Sequence, residues 1–215
     1  MVAAVIVDIV GSRRLSDRAD AQRVLDAAIA EVERSLPLAL EQLRPTVGDE
    51  QQGVYATLDD ALAGILLLQL ALPDGLECRF GLGLGAVGTV PSASGDLPDG
   101  PGWWAAREAI ETVHAKQQRA APSARTWVVA SPDEDAGVHS AAHHANAYLL
   151  ARDHIVGAMN ERTRRLTLGR CLGATQRDLA QAEGISQPAV SQALATAGAS
   201  AVVEGFAILR VGAAS

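Results

Sequence analysis

Only two cysteines, Cys78 and Cys171, occur in the sequence, in unrelated contexts that have neither metal-ligand spacing nor the makings of a disulfide framework. That scarcity excludes a disulfide-stapled scaffold and agrees with a reducing compartment. The longest uncharged run of the first half, "ALAGILLLQLALP" from Ala61, falls short of the roughly 20 apolar residues that span a bilayer, so it reads as a buried helix. The start, "MVAAVIVDIV", lacks a basic leader and is interrupted by Asp8, which makes it a poor signal peptide and a good strand. A cytoplasmic protein is expected. No long Ser/Gly or charge-block segment signals disorder, and 48% hydrophobic content is a globular value for 215 residues. The length suits one full-sized domain and a small one, at the usual figure of about 150 residues per domain.

The net charge of −7 argues against a protein that coats nucleic acid non-specifically, which needs many Lys and Arg on one face. The charge is unevenly spread. Residues 1–130 carry −6 and residues 131–215 only −1, while the segment from Arg152 to Arg177 holds six arginines against Asp153 and Glu161 and reaches +4. A polyanion would meet the protein there.

The first part alternates strands and helices. "VAAVIVDIV" is a strand-type apolar run, and Val24, Leu25, Ala28, Ile29, Val32 and Leu36 follow at helical spacing, with Ser16 or Asp17 as cap and Pro37 as stop. Two strands are expected near Leu40–Val47 and Gly53–Leu58, then a second apolar helix after an Asp59-Asp60 cap. The fourth strand, "ECRFGLGLGAVGTV", puts Phe80, Leu82, Leu84 and Ala86 on one face and Arg79, Gly81, Gly83 and Gly85 on the other. Such a bare face means either a bent or bulged strand or close approach by another backbone, a helix or a ligand. A Pro/Gly/Asp-rich loop at residues 91–102, the helix "WWAAREAIETVHAK" and the strand "TWVVA" complete a β-α-β-β-α-β order with a further α-β, the ferredoxin-like plan.

Asp8 shares strand parity with Val2, Ala4, Ile6 and Val10 in a stretch suited to burial on both faces, where an ionised carboxylate is costly unless paired or bound to a cation. The topology brings it to the same end of the sheet as Asp49, in "TVGDEQQGVYA". Gly48-Asp49 suits a plain hairpin turn. Two neighbouring carboxylates also suit Mg²⁺, which takes one or two of them and completes its octahedron with water and phosphate oxygens.

"DIVGS", "VGDE", "RFGLGLG" and "WWAAR" together resemble, in order and approximate spacing, the class III nucleotide cyclase homology domain over about 130 residues. With "GDEQQGV" and the C-terminal part added, most of the chain resembles the SatD-like family of bacterial proteins. The resemblance implies Asp8 and Asp49 as ligands of Mg²⁺ or Mn²⁺. It implies Ile9, Val10, Gly11 and Ser12 as a backbone cradle for the triphosphate of a purine nucleotide, and Arg107 as the catalytic arginine that steadies the transferring phosphoryl group. Gly11 permits close approach of an anion, and Arg13 and Arg14 are placed either to neutralise phosphate or simply to be solvated. Two positions depart from the cyclase pattern, and a third falls in the loop. Trp103 stands where cyclases carry an asparagine, Pro45 where they usually carry a purine-reading lysine, and the adenine-reading acid would fall near Asp96 or Asp99.

"TQRDLAQAEGISQPAVSQAL" has the form of a helix-turn-helix: small Ala180 at the helix crossing, Gly184 in the turn and apolar Val190 facing inward. Thr175 and Asp178 form a capping box, and Ser186 caps a second helix with Pro188 in its first turn. An αα-hairpin without DNA contact would show the same signals. By analogy with helix-turn-helix proteins, Gln187, Ala189, Ser191 and Gln192 would approach base edges, and Thr175, Gln176 and Ser186 phosphates. The recognition helix has no Lys or Arg, so Arg162, Arg164, Arg165, Arg170 and Arg177 would supply the phosphate grip. Between the parts, Ala141 to Leu166 is expected as one helix, and His139 and His143, four residues apart, read as a solvated face or dimer contact rather than a metal site.

The expected architecture is α+β: a ferredoxin-like, nucleotide cyclase-like βαββαβ domain over residues 1–135, a helical linker at 136–160, and a small all-α helix-turn-helix domain at 161–215. The expected function is a homodimeric, DNA-binding transcriptional regulator whose degenerate cyclase-like domain binds a purine nucleoside triphosphate with Mg²⁺. An active nucleotidyl cyclase or related transferase, with the helix-turn-helix as regulatory module, is the alternative.

Overall fold

The computed structural model describes residues 2–12, 17–46, 50–91 and 97–212. A five-stranded sheet, β1 (Ala3–Ile9), β2 (Ala39–Pro45), β3 (Gln51–Tyr55), β4 (Cys78–Leu84) and β7 (Thr126–Ala130), runs in the order β2-β3-β1-β4-β7. Every neighbouring pair is antiparallel except β4 and β7. The first four strands, with α1 (Arg18–Ser35) and α2 (Leu58–Ala71), make the expected βαββαβ unit. A short ribbon of β5 (Gly88–Val90) and β6 (Leu97–Asp99) then leads into α3 (Pro101–Gln117), which crosses the opposite face to reach β7.

Alternation along β1 divides the core. Ala3, Val5 and Val7 join α1 and α2, while Ala4 and Ile6 pack with Trp103, Ala106 and Ile110 of α3. The glycine face of β4 lies under α3. A Cβ on Gly81 would sit 2.5 Å from Ala106 O, and one on Gly83 only 1.9 Å from Gly102 O. Close approach of a helix backbone, not a bend in the strand, is what these glycines serve.

Past the sheet come α4 (Ala136–Gly157), α5 (Glu161–Cys171), α6 (Gln176–Glu183), α7 (Gln187–Thr196) and α8 (Ala199–Gly212). Helix α4 covers the outer edge of β7. Asn146 Oδ1 accepts from Val128 N–H and its Nδ2 donates to Val128 O, both at 2.8 Å. Two turns further on, Asp153 Oδ2 accepts from the N–H groups of Arg125 and Thr126, each at 2.7 Å. Arg152 neutralises Asp153 at 2.7 Å with both side chains fully buried. One helix thus supplies the hydrogen bonds that a sixth strand would have given. Helices α5 and α8 pack on α2, which explains why α2 is buried from Ala61 to Leu70 and, Gln69 apart, apolar on every side.

Several expected boundaries move. β2 and β3 are Ala39–Pro45 and Gln51–Tyr55, and β4 stops at Leu84, with part of the expected loop forming the β5-β6 ribbon. Thr57, not the Asp pair, caps α2, its side chain accepting from Asp60 N–H at 3.0 Å. Asp17 caps α1, while Ser16 lies outside the described residues. The single helix expected from Ala141 to Leu166 is broken, because Asn160 is extended and its side chain accepts from Thr163 N–H to begin α5.

Gly83→Ala should lower stability by about 3 kcal/mol, since backbone must move to admit the methyl group. Gly157→Ala, where a Cβ meets nothing within 4 Å, should instead raise it by about 0.5–1 kcal/mol. Urea denaturation of both variants checks the pair.

Candidate functional site

The end of β1 and the start of β3 meet on the face covered by α3. Asp8 stands directly across from Arg79 in the antiparallel register, and the two form a bidentate pair, Nε to Oδ1 at 2.9 Å and Nη2 to Oδ2 at 2.8 Å. The Arg79 side chain is only 9% exposed and that of Asp8 28%. Glu50 lies beside this pair. It accepts two hydrogen bonds from Arg107, at 2.6 and 2.7 Å, and a third from Gln52 at 2.8 Å. The Arg107 pKa is raised, first by its hydrogen bond to Glu50, and the nearby Asp8 charge adds to the effect. Two carboxylates and two guanidiniums therefore share one end of the sheet in balanced pairs.

Beyond Asp8, Gly11 takes a left-handed turn (φ 67°) that lets the chain leave β1. Ile9 is buried, and Val10, Gly11 and Ser12 are half-buried. The cradle expected over Ile9–Ser12 is already partly used, because Val10 N–H donates to Glu77 O at 2.8 Å. Arg13, Arg14, Asp49 and Asp96 lie outside the described residues. A cleft of about 600 Å³, lined by Arg44, Thr46, Gln52, Pro98 and Trp103 among others, is linked to the Glu50–Arg107 pair through Gln52, which donates to Glu50.

Arg79 and Glu50 were not singled out as site residues from sequence. Period-two alternation carried the signal for both: Arg79 shares the glycine face of β4, and Glu50 shares a face with Gln52 and Val54, toward α3. The charge opposite Asp8 belongs to the same parity argument that made Asp8 conspicuous.

Of the two carboxylates that the cyclase resemblance assigns to a divalent cation, only Asp8 is among the described residues, and it is paired. Both Asp8 oxygens accept from Arg79 and both Glu50 oxygens from Arg107, so Asp8, the one expected ligand among the described residues, already faces a positive charge. Among the described residues no group of three His, Cys, Asp or Glu side chains can hold a metal ion. His139 and His143 are no exception.

In the tail, α6 and α7 are joined through Gly184 at φ 64°, a left-handed turn. Thr175 and Asp178 form a complete capping box, whose hydrogen bonds from Thr175 hold the exposed Asp178 carboxyl below its usual pKa. Ser186 accepts from Ala189 N–H. Ala180 and Val190 are buried, whereas Gln187, Ala189, Ser191 and Gln192 all face solvent. Thr175 and Arg177 are exposed and Gln176 is half-buried.

The arginines divide into separate environments. Arg164 points away from this surface, binding Leu72 O and Asp74 Oδ1 at 3.2 and 2.7 Å. Arg165 pairs with Glu161 and Glu183, Arg162 lies 3.8 Å from Glu183, and Arg170 donates to Ala174 O. Of the positions expected to grip phosphate, Arg164 is thus committed to the sheet half of the molecule.

Arg79→Gln should remove the cation that answers Asp8, destabilising the fold by about 2–3 kcal/mol. It should also let Mn²⁺ raise the melting temperature. No such rise is expected in the parent, nor in the double variant Asp8→Asn Arg79→Gln, when the three are titrated with Mn²⁺ in the absence of nucleotide.

Comparison with solved structures finds nucleotide cyclase domains. The monomeric adenylate cyclases of Trypanosoma brucei are similar over 52% of this chain and 68% of theirs, at 17% identity and a TM-score of 0.42. The guanylate cyclase domain of RhGC from Catenaria anguillulae, solved in complex with GTP, is similar over 52% of this chain and 72% of its own, at 18% identity and a TM-score of 0.42. The guanylyl cyclase domain of the RhoGC fusion protein from Blastocladiella emersonii gives 18% identity and a TM-score of 0.39, over 52% and 74%. No curated protein matches the chain. The SatD family model matches residues 2–201, nearly the whole length, and the chain belongs to the SatD family.

Proposed function

We propose that this protein is a DNA-binding regulator whose α3-covered sheet face binds a purine nucleoside triphosphate. The observation that carries the reading is the α6–α7 pair. Its inward residues Ala180 and Val190 are buried, its turn glycine is left-handed, and the outward face of α7 presents Gln187, Ser191 and Gln192 to solvent, with Gln192 Nε2 donating to Thr196 Oγ1 at 2.9 Å on the same helix. Glutamine suits adenine edges in a major groove, and the N-terminal turn of a second helix is where such contacts are made. Thr175, Gln176, Arg177, Ser186 and, from α5, Arg165 and Arg170 would border the phosphates. With no Lys or Arg on α7, one copy grips weakly, so the reading includes a homodimer on two half-sites.

The nucleotide part of the proposal rests on the 600 Å³ cleft, whose wall residue Gln52 donates to Glu50, the partner of Arg107. Base and ribose would lie in the cleft, and phosphates would displace Glu50 from Arg107 and approach the turn after β1. A divalent cation would have to arrive with the phosphates, because Asp8 is already answered by Arg79. The geometry supports binding over turnover, since Trp103 stands in the asparagine position and Arg107 is held by Glu50.

Selection of random duplex DNA by the purified full-length protein should enrich one sequence, and the variant Gln187→Ala Gln192→Ala should bind that sequence at least about tenfold more weakly while melting at the parent temperature. ATP or GTP should raise the parent melting temperature by about 2–4 °C at several times its Kd, and Arg107→Ala should remove the rise. No enriched sequence would overturn the DNA reading, and no shift with either triphosphate the nucleotide reading.

A further inference from the structure

A second cleft, of about 300 Å³, lies where the tail meets the sheet half. One wall is formed by the end of α2 and the segments leading into β4 and β7, the other by the last turn of α4 and by Arg164 of α5. Two polar atoms in these walls are buried without a hydrogen-bond partner among the described residues: Oε1 of Gln69, a residue only 9% exposed, and Nε of Arg164. Buried polar groups are nearly always bonded, and one that is not calls for an occupant.

The charges of the cleft differ in how firmly they are held. Arg164 is fixed by Met159 O and Leu72 O, the carbonyl ends of the α4 and α2 segments, and its side chain is 14% exposed. Arg125 is fixed by Pro122 O and Ala124 O and is 19% exposed. Their acidic partners are loose by comparison. Asp74, paired with Arg164, is 67% exposed, and Glu77, paired with Arg125, is 58% exposed. Exposed carboxylates leave such pairs at little cost, whereas the guanidiniums are preorganised by backbone.

We propose that this cleft binds a small ligand bearing an anionic group, a carboxylate or a phosphate ester, and a hydroxyl or amide that donates to Gln69. The anion takes the places of the Asp74 and Glu77 carboxylates on Arg164 and Arg125. The cleft volume is at the small end of ligand sites, which suits a small anion better than a nucleoside triphosphate. Because its two walls belong to the sheet half and to the tail, an occupant holds α5, and with it the α6–α7 pair, against the sheet.

The test is a thermal-shift titration of the full-length protein with succinate and, in a separate arm, with glycerol 3-phosphate, against sodium chloride of equal ionic strength. A saturable rise of about 2–4 °C at roughly five times the Kd is expected in at least one arm, and which arm responds identifies the class of anion. Gln69→Leu, nearly equal in shape, should abolish or sharply weaken the rise, as should Arg125→Gln. No rise in either arm, or a rise that both variants retain in full, overturns the proposal. Neither result bears on DNA or triphosphate binding, since Gln69 and Arg125 lie outside both of those sites.

Discussion

Everything at the candidate site depends on how closely α3 lies on β4. Helix backbone meets strand backbone along Gly81 and Gly83 at distances that no side chain would allow. That contact fixes the height of α3 above the sheet, and with it the position of Arg107 over the start of β3. Where the glycine ladder ends, at Arg79, a long side chain fits beyond the closest part of the helix, near Gln117 at its C-terminal end. The same packing that buries Ala4 and Ile6 under α3 leaves Asp8 at the margin of the covered face, where Arg79 can reach it. Small residues inward and charges at the rim are one device, not two.

The described carboxylates of this face are each answered by an arginine. A carboxylate in a strand otherwise buried needs a counter-charge, and here the neighbouring strand supplies it through a bond that costs no binding event. Glu50 does the same for Arg107, but the partner arginine is more exposed and the pair more readily opened. The site is therefore asymmetric: a fixed pair at Asp8 and Arg79, and an openable one at Glu50 and Arg107 beside the larger cleft.

The tail is built into the fold by α2 and α4. Ten consecutive residues of α2 are buried because the sheet covers one side and α5 and α8 the other. Asn146 and Asp153 of α4 complete the hydrogen bonding of β7, so the segment expected as a linker acts as an edge cover. Arg164 to Asp74 and Arg210 to Asp60, each at 2.7 Å, add ion pairs across the same seam. These contacts tie α5 and α8 to the sheet half.

Local signals were legible in the residues themselves. The strand character of β1, the bare face of β4, the capping box at Thr175 and the left-handed Gly184 each depend on a few neighbouring positions, and periodicity and backbone sterics decide such features before the chain is folded. The break at Asn160 was equally local but was masked by helical composition on both sides. Partners are another matter. Asp8 finds Arg79 across 71 residues and Arg107 finds Glu50 across 57. Strand register chose those pairs, as the docking of α4 chose Asn146 and Asp153 for the edge of β7. A charge in a sequence states only that it must be answered; which residue answers it is decided by tertiary structure, because ion pairing requires contact and contact between distant segments exists only once the sheet has closed.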